Sequence, residues 1–197
     1  MNTNEFEYYL ITRDGKFASP LLMNDDNVNS GGTMFLRNFQ RVDDETTIHL
    51  EFNPPIPSKP EMTDYLFLQC RAVFSKKIYE ILKTVEIKDF QLVPTIIKGK
   101  NGEEYFEYWI AGIYREFAFL DTDKSEYSRI DAKGRWGGVE KMVINQEEMS
   151  KVLLEERLMY VSKEDPAHVF YHKSIVDLIM STNPTGVRFI SVEEWED

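Results

Sequence analysis

The chain has little of several features on which particular structures and functions depend. Cys70 is the single cysteine among 197 residues, so the chain can form neither an internal disulfide nor a zinc cage of several thiolates. No apolar run approaches the ~20 residues that cross a bilayer. The N-terminus also lacks the basic and apolar regions of a secretory signal. Together these absences predict a cytoplasmic protein.

Basic residues are also scarce relative to acidic ones. The chain has 23 Lys and Arg residues and 34 Asp and Glu residues, so its formal net charge is -11. Because phosphate contacts need clustered Lys and Arg, this balance argues against binding to nucleic acid or to anionic membranes. It suits a basic protein partner, although acidity that serves only solubility is an equally good explanation.

The residues that are present predict a folded chain with one internal boundary. Hydrophobic residues make up 42% and charged residues 29% of the chain, which is ordinary globular usage. Four prolines lie within residues 54–60, and this density predicts an extended connector. We therefore divide the chain into a strand-rich N-terminal segment, residues 1–60, and an α+β region, residues 61–197. The first segment is too short for a self-sufficient domain and is expected to belong to the same domain as the second.

An internal repeat is the most informative pattern in the chain. Phe74–Thr95 and Tyr171–Val192 align without a gap at an offset of 97 residues, and their apolar positions match nearly throughout. Each segment predicts a strand, a helix and a strand. The aligned helix positions pair Ile78 with Ile175, Ile81 with Leu178, and Leu82 with Ile179. We expect each trio to pack its helix onto a sheet, and we expect Ser75 to cap the first helix.

Most of the remaining periodic segments predict strands. Thr46–Phe52 alternates cleanly, with Ile48, Leu50 and Phe52 on one face. Other predicted strands are Phe6–Ile11, Asp89–Ile97, Tyr105–Tyr114 and Val139–Asn145, whereas Thr33–Val42 fits a strand or a short helix, and Asp121–Gly138 is a polar stretch to which we assign no element. The expected fold class is α+β, with a mixed, mostly antiparallel sheet and two strand–helix–strand units related by the repeat.

Two patterns resemble metal-binding motifs, but each lacks residues that its motif requires. His168 and His172 are four positions apart, but no Glu follows the first histidine as the hydrolytic zinc motif requires. Asp121–Ser125 begins like a calcium loop, yet Glu126 replaces the glycine and Ala132 replaces the bidentate glutamate. An Asx-turn is the expected structure of that loop. With no nucleophile motif in the chain, we predict no metal, no cofactor, no catalytic residue and no enzymatic activity.

Three segments carry a resemblance to a known family: Phe119–Tyr127, Lys141–Met149 and Thr185–Trp195. They resemble the eleventh numbered family among the immunity proteins of bacterial polymorphic-toxin systems, and the similarity runs in order from about Leu66 to Trp195. The resemblance implies a protein that binds and neutralises a toxin made by the same or a sister cell. It implies no catalytic residues.

Two acidic groups are the candidate contacts with such a toxin. The first is the loop with Asp121, Asp123 and Glu126, and the second is the tail with Glu193, Glu194 and Trp195, followed by Glu196 and Asp197. An aromatic side chain among carboxylates suits the core and rim of an interface, although Trp195 could equally pack against the body of the protein. Two other functions remain open: an interaction scaffold unrelated to toxins, and a small hydrolase or transferase.

Overall fold

The computed structural model describes residues 5–25, 41–43, 45–68 and 71–195. Cys70, Glu196, Asp197 and most of Thr33–Val42 lie outside this part, so the expectations for them stay untested. No helix among the described residues is both long enough and apolar enough to cross a membrane.

Strands dominate the described residues. They are β1 (Tyr8–Arg13), β2 (Leu21–Asn24), β3 (Ile48–Asn53), β4 (Tyr65–Leu68), β5 (Arg71–Ser75), β6 (Phe90–Lys98), β7 (Glu104–Ile113), β8 (Glu116–Phe117), β9 (Glu126–Ile130), β10 (Trp136–Lys141), β11 (Met159–Ser162), β12 (Val169–His172) and β13 (Val187–Ser191). The α-helices are α1 (Lys76–Leu82), α2 (Gln146–Met149) and α3 (Lys173–Met180), and short 3-10 helices cover Leu154–Glu156 and Val192–Glu194.

Six strands form a closed barrel in the order β2-β3-β6-β7-β5-β4. The alternation in β3 places Ile48, Leu50 and Phe52 in the barrel core, as the sequence predicted. β6 and β7, which correspond to the predicted strands Asp89–Ile97 and Tyr105–Tyr114, pair along nearly their whole lengths as an antiparallel hairpin. Because every strand has two neighbours, the barrel has no open sheet edge.

A five-stranded sheet has the order β13-β1-β12-β11-β8. One face contributes Tyr171 to a core that α1 and α3 share, and the other contributes Phe170 to a second core. β1 lies between β12 and β13 and is antiparallel to both. The N-terminal segment thus supplies the middle of a C-terminal unit as well as two barrel strands. With these mixed, mostly antiparallel pairings, the fold class is α+β as expected.

The polar stretch Asp121–Gly138, to which the sequence analysis assigned no element, has regular structure. It contains β9 and the start of β10, which pair as an antiparallel hairpin. The hairpin contacts the body through few side chains, chiefly Trp136, whose ring stacks on Tyr127 with 4.3 Å between centroids. Since most other positions face solvent on both sides of the ribbon, the sequence shows no alternation of apolar and polar residues. The predicted strand Val139–Asn145 likewise ends early, at Lys141.

The two aligned segments have the same secondary structure in the same order. α1 begins after Ser75 and α3 begins after His172, and these positions are aligned. In each unit an antiparallel strand lies between the unit's own two strands: β7 between β5 and β6, and β1 between β12 and β13.

The strand registers of the two units agree as well. Val73 and Val93 both lie opposite Ile110 on β7, and the aligned residues Phe170 and Ile190 both lie opposite Leu10 on β1. A repeat requires this agreement. The repeat itself stays a prediction whose test is superposition of the two units.

Ser75 does not cap α1 as expected. Its hydroxyl makes no capping bond and instead donates to Asp64 at 2.6 Å. The same carboxylate accepts from Lys77 at 2.9 Å and from the Thr185 amide at 2.8 Å. These hydrogen bonds join the first unit to the turn before β13. Burial raises the pKa of Asp64, but its hydrogen bonds to Ser75, Lys77 and Thr185 outweigh this and lower the pKa overall.

The helix positions differ in burial, which corrects the expectation that each trio packs alike. Two positions of each trio, Ile78 and Leu82 in α1 and Ile175 and Ile179 in α3, are buried in the shared core. The third positions, Ile81 and Leu178, are only half-buried.

Ile175→Ala should therefore lower the free energy of unfolding by ~2–5 kcal/mol, and Leu178→Ala by about 1 kcal/mol. Urea unfolding of the two variants measures the difference. Equal losses would show that both positions pack equally well.

Candidate partner-binding site

A cleft of about 220 Å³ lies where the start of β1, the end of β13 and the segment after β10 meet. We call it the acidic cleft. Its apolar lining includes Phe6, Met142 and Val192, and its acidic lining residues are Glu7 and Glu193. The remaining lining residues are Tyr8, Lys141, Val143, Ile144, Gln146 and Ser191. An apolar floor with charged groups at the wall can hold the stem and the charged end of a basic side chain.

Further negative charge lies around Tyr9, on the face of β1 that packs against the helices. The hydroxyl of Tyr9 donates to Glu7 Oε1 at 2.5 Å. This hydrogen bond is the main cause that raises the pKa of Tyr9 to about 12, and the charges of Asp177 and Glu194 add to it. Three carboxylates therefore act on one phenol, while Lys173 pairs with Asp177 at 2.9 Å. The local field favours a cationic ligand.

The predicted acidic loop adjoins the opposite wall of the cleft. The Asp121 amide donates to the Val143 carbonyl at 2.7 Å, and the Val143 amide donates to Ser125 Oγ at 3.0 Å. Asp121 itself accepts from the Asp123 amide at 3.1 Å, which is the predicted Asx-turn. Its hydrogen bond with Lys124 is the main cause that lowers its pKa.

The carboxylates of this loop differ in whether a nearby lysine holds them in an ion pair. Asp121 is engaged by Lys124 Nζ at 2.7 Å, and Glu126 lies 3.7 Å from Lys141, which lines the cleft. Asp123 is exposed. Asp123 and Glu126 are thus the loop carboxylates that can reach a partner without breaking a close ion pair.

Trp195 is directed away from the acidic cleft. Its ring contacts His168 edge to face, with 4.9 Å between ring centroids, and it lines a second cavity of about 140 Å³ together with Tyr171. The indole N–H is buried and has no acceptor among the described residues. The structure therefore brings Glu193 and Glu194 to the cleft region and separates Trp195 from them, packed against the body.

The two histidines have separate roles. His172 is buried, and its Nδ1 accepts from the Ser174 amide at 3.2 Å, which caps α3. His168 Nδ1 lies 2.6 Å from Asp165. Within the described part of the chain, no group of three or more His, Cys, Asp or Glu side chains could hold a metal ion.

Sequence reasoning did not find several residues of this site. Glu7 and Asp177 were not among the predicted contact residues, and Met142–Ile144 fell within the predicted strand Val139–Asn145. The local pattern carries no signal for them, because the cleft forms from segments far apart in the chain. The only indication in the sequence was the acidic tail, which reaches the cleft through Glu193.

Comparison with known proteins identifies the family. A family model described as an immunity protein family, Imm11, matches residues 7–194. No curated protein matches the chain. The matched range includes both strand–helix–strand units, the barrel and every lining residue of the acidic cleft except Phe6, and it covers nearly the whole sequence. The chain belongs to the Imm11 immunity protein family.

Proposed function

We propose that this protein binds a toxin in the bacterial cytoplasm and neutralises it as a stoichiometric complex, without a catalytic step. The observation that carries the proposal is the family match over residues 7–194. The toxin surface in contact is basic, and it meets the acidic cleft together with Asp123 and Glu126 from the neighbouring loop.

Charge and size support this arrangement. A net charge of -11, with carboxylates grouped around the cleft, accelerates encounter with a basic partner and orients it. A standard interface covers about 800 Å² on each partner, less than a tenth of the 10827 Å² accessible surface. The face that carries the cleft can therefore supply an interface of ordinary size.

Co-expression with the toxin of the neighbouring gene tests the proposal. The wild-type chain should restore growth of cells that make this toxin and should co-purify with it in a one-to-one ratio. An active toxin that is neither bound nor neutralised would contradict the proposal and favour an interaction scaffold unrelated to toxins.

Charge reversal in the cleft should act mainly on the rate of association. Glu193→Lys should slow association with the toxin on the order of threefold to tenfold at low salt, because rim charges steer encounter. It should also flatten the salt dependence, since screening acts over ~8 Å at physiological ionic strength. Stopped-flow mixing at several salt concentrations measures both effects.

The matched control is Glu104→Lys, which reverses an equally exposed carboxylate on barrel strand β7. It should leave the association rate nearly unchanged. Equal slowing by both variants would assign the effect to net charge alone and would remove the cleft from the interface.

A further inference from the structure

The outer edge of β13 is open among the described residues. β13 is the last strand of the five-stranded sheet, and in the described part of the chain only β1 pairs with it. An open edge presents backbone N–H and C=O groups at regular spacing. Such an edge fits one kind of ligand, an extended strand.

The pairing with β1 shows which groups face outward. The Asp14 amide donates to the Gly186 carbonyl at 3.0 Å, and the register continues through Thr12 with Arg188 and Leu10 with Ile190. Hydrogen-bonded pairs alternate along an antiparallel ladder, so these residues bond to β1. Phe189 lies between Arg188 and Ile190 in the strand, so its N–H and C=O point to the open edge.

The other side of β1 agrees with this assignment. The Lys173 amide donates to the Glu7 carbonyl at 2.9 Å. The same alternation directs the backbone groups of Tyr9 to β12 and away from Ser191, which lies opposite on β13. The N–H of Ser191 consequently also points to the open edge, whereas its carbonyl begins the 3-10 helix Val192–Glu194.

The first strand–helix–strand unit is joined to further strands just beyond the corresponding edge. Phe90 aligns with Val187 at the start of β13, and Arg41 donates to the carbonyl of Phe90 at 3.0 Å. β3 pairs in parallel with Thr95–Lys98 of β6, which align with Val192–Trp195 after β13. In the second unit no described strand pairs with the outer edge of β13.

The open edge leads into the acidic cleft. Ser191, the last residue of β13, lines the cleft beside Glu193 and opposite Glu7. A strand laid along β13 would place a side chain from its end in this cleft. The carboxylates there select a positively charged side chain.

We propose that the toxin adds an extended strand to the open edge of β13 and inserts a Lys or Arg side chain of that strand into the acidic cleft. This inference rests on the proposed function and specifies its binding mode. Backbone hydrogen bonds along β13 supply general affinity, and the basic side chain supplies specificity. Arg188, exposed on this short strand, discourages pairing with unrelated strands.

Residue-resolved amide hydrogen exchange tests the binding mode. It is measured by NMR on the chain alone and in complex with the toxin domain of the neighbouring gene. The Phe189 amide should exchange rapidly in the free chain and at least tenfold more slowly in the complex. The control is Ile130, whose amide also points away from its hairpin partner and should show no change.

The outcomes separate this inference from the proposed function. A complex in which Phe189 exchanges as fast as in the free chain overturns the strand addition and leaves the proposed function intact. Failure of the active toxin to bind overturns both. Protection of Phe189 that rises with the concentration of the chain alone shows that a second copy covers the edge, which also overturns the inference.

A conservative variant tests the part of the proposal that concerns the cleft. Glu193→Gln removes the charge and keeps the shape of the side chain. It should weaken the complex about fivefold while Phe189 stays protected in the bound state. Unchanged affinity would show that no basic side chain enters beside Glu193.

Discussion

Arg157→Met should lower the free energy of unfolding by about 3–5 kcal/mol, because Arg157 is 1% exposed and its guanidinium donates several buried hydrogen bonds. Its Nε donates to the Val152 carbonyl at 3.0 Å. Its Nη1 donates to the Glu5 carbonyl at 2.6 Å and to Tyr8 Oη at 2.8 Å. Methionine fills much of the space but leaves these acceptors without a donor.

The loss should extend to the acidic cleft. Arg157 holds Glu5 and Tyr8, and the residues between them, Phe6 and Glu7, line the cleft. The guanidinium also lies over the Phe6 ring, 5.4 Å from its centroid. A variant that still folds should therefore bind the toxin more weakly than the wild type.

Urea unfolding at neutral pH measures the stability change. Arg129→Met is the matched control, since Arg129 is exposed on β9, and it should change stability by less than about 0.5 kcal/mol. Arg157→Lys should lie between the two, because an ammonium cannot reproduce the planar fork of donors. A loss below about 1 kcal/mol for Arg157→Met would contradict the role assigned to the guanidinium.

High pH should unfold the protein cooperatively, because several phenols are buried. Burial raises the pKa of Tyr8 to about 12, and the hydrogen bond from Arg157 opposes this only in part. Burial likewise raises the pKa of Tyr108 to about 12. It also raises the pKa values of Tyr160 and Tyr171.

The sign of the effect follows from comparing the folded and unfolded states. Tyrosines in the unfolded chain ionise near pH 10, whereas in the folded chain these phenols keep their protons to higher pH. Stability is therefore unaffected below about pH 10 and falls as the pH rises towards 12. For Tyr8 the rise from 10.0 to about 12 corresponds to about 2.7 kcal/mol.

Unfolding by urea at pH 8 and at pH 11.5 measures this loss. Tyr8→Phe provides the comparison, since it removes the ionisable hydroxyl and keeps the ring. Its stability should be lower at pH 8 because it loses the hydrogen bonds of the hydroxyl, yet it should fall by about 2 kcal/mol less than the wild type at high pH. An equal fall in both proteins would exclude Tyr8 as a source of the alkaline instability.

Local patterns alone determined much of the secondary structure. The alternation in Thr46–Phe52 predicts β3 and its buried face, and helical spacing predicts a helix where α1 and α3 are found. These elements are readable because one face of each is buried, so the spacing of apolar residues follows the period of the backbone. The β9–β10 hairpin escaped prediction because it buries so little.

The tertiary structure alone decided where the acidic cleft forms and which groups are held in place. The sequence of β1 predicts a strand, but it does not indicate that this strand lies between β12 and β13. Arg157 reads as a surface residue, but it is buried against Tyr8, which is 149 positions away. Such placements depend on which distant segments pack together, and the local sequence encodes the period of each element but not its neighbours.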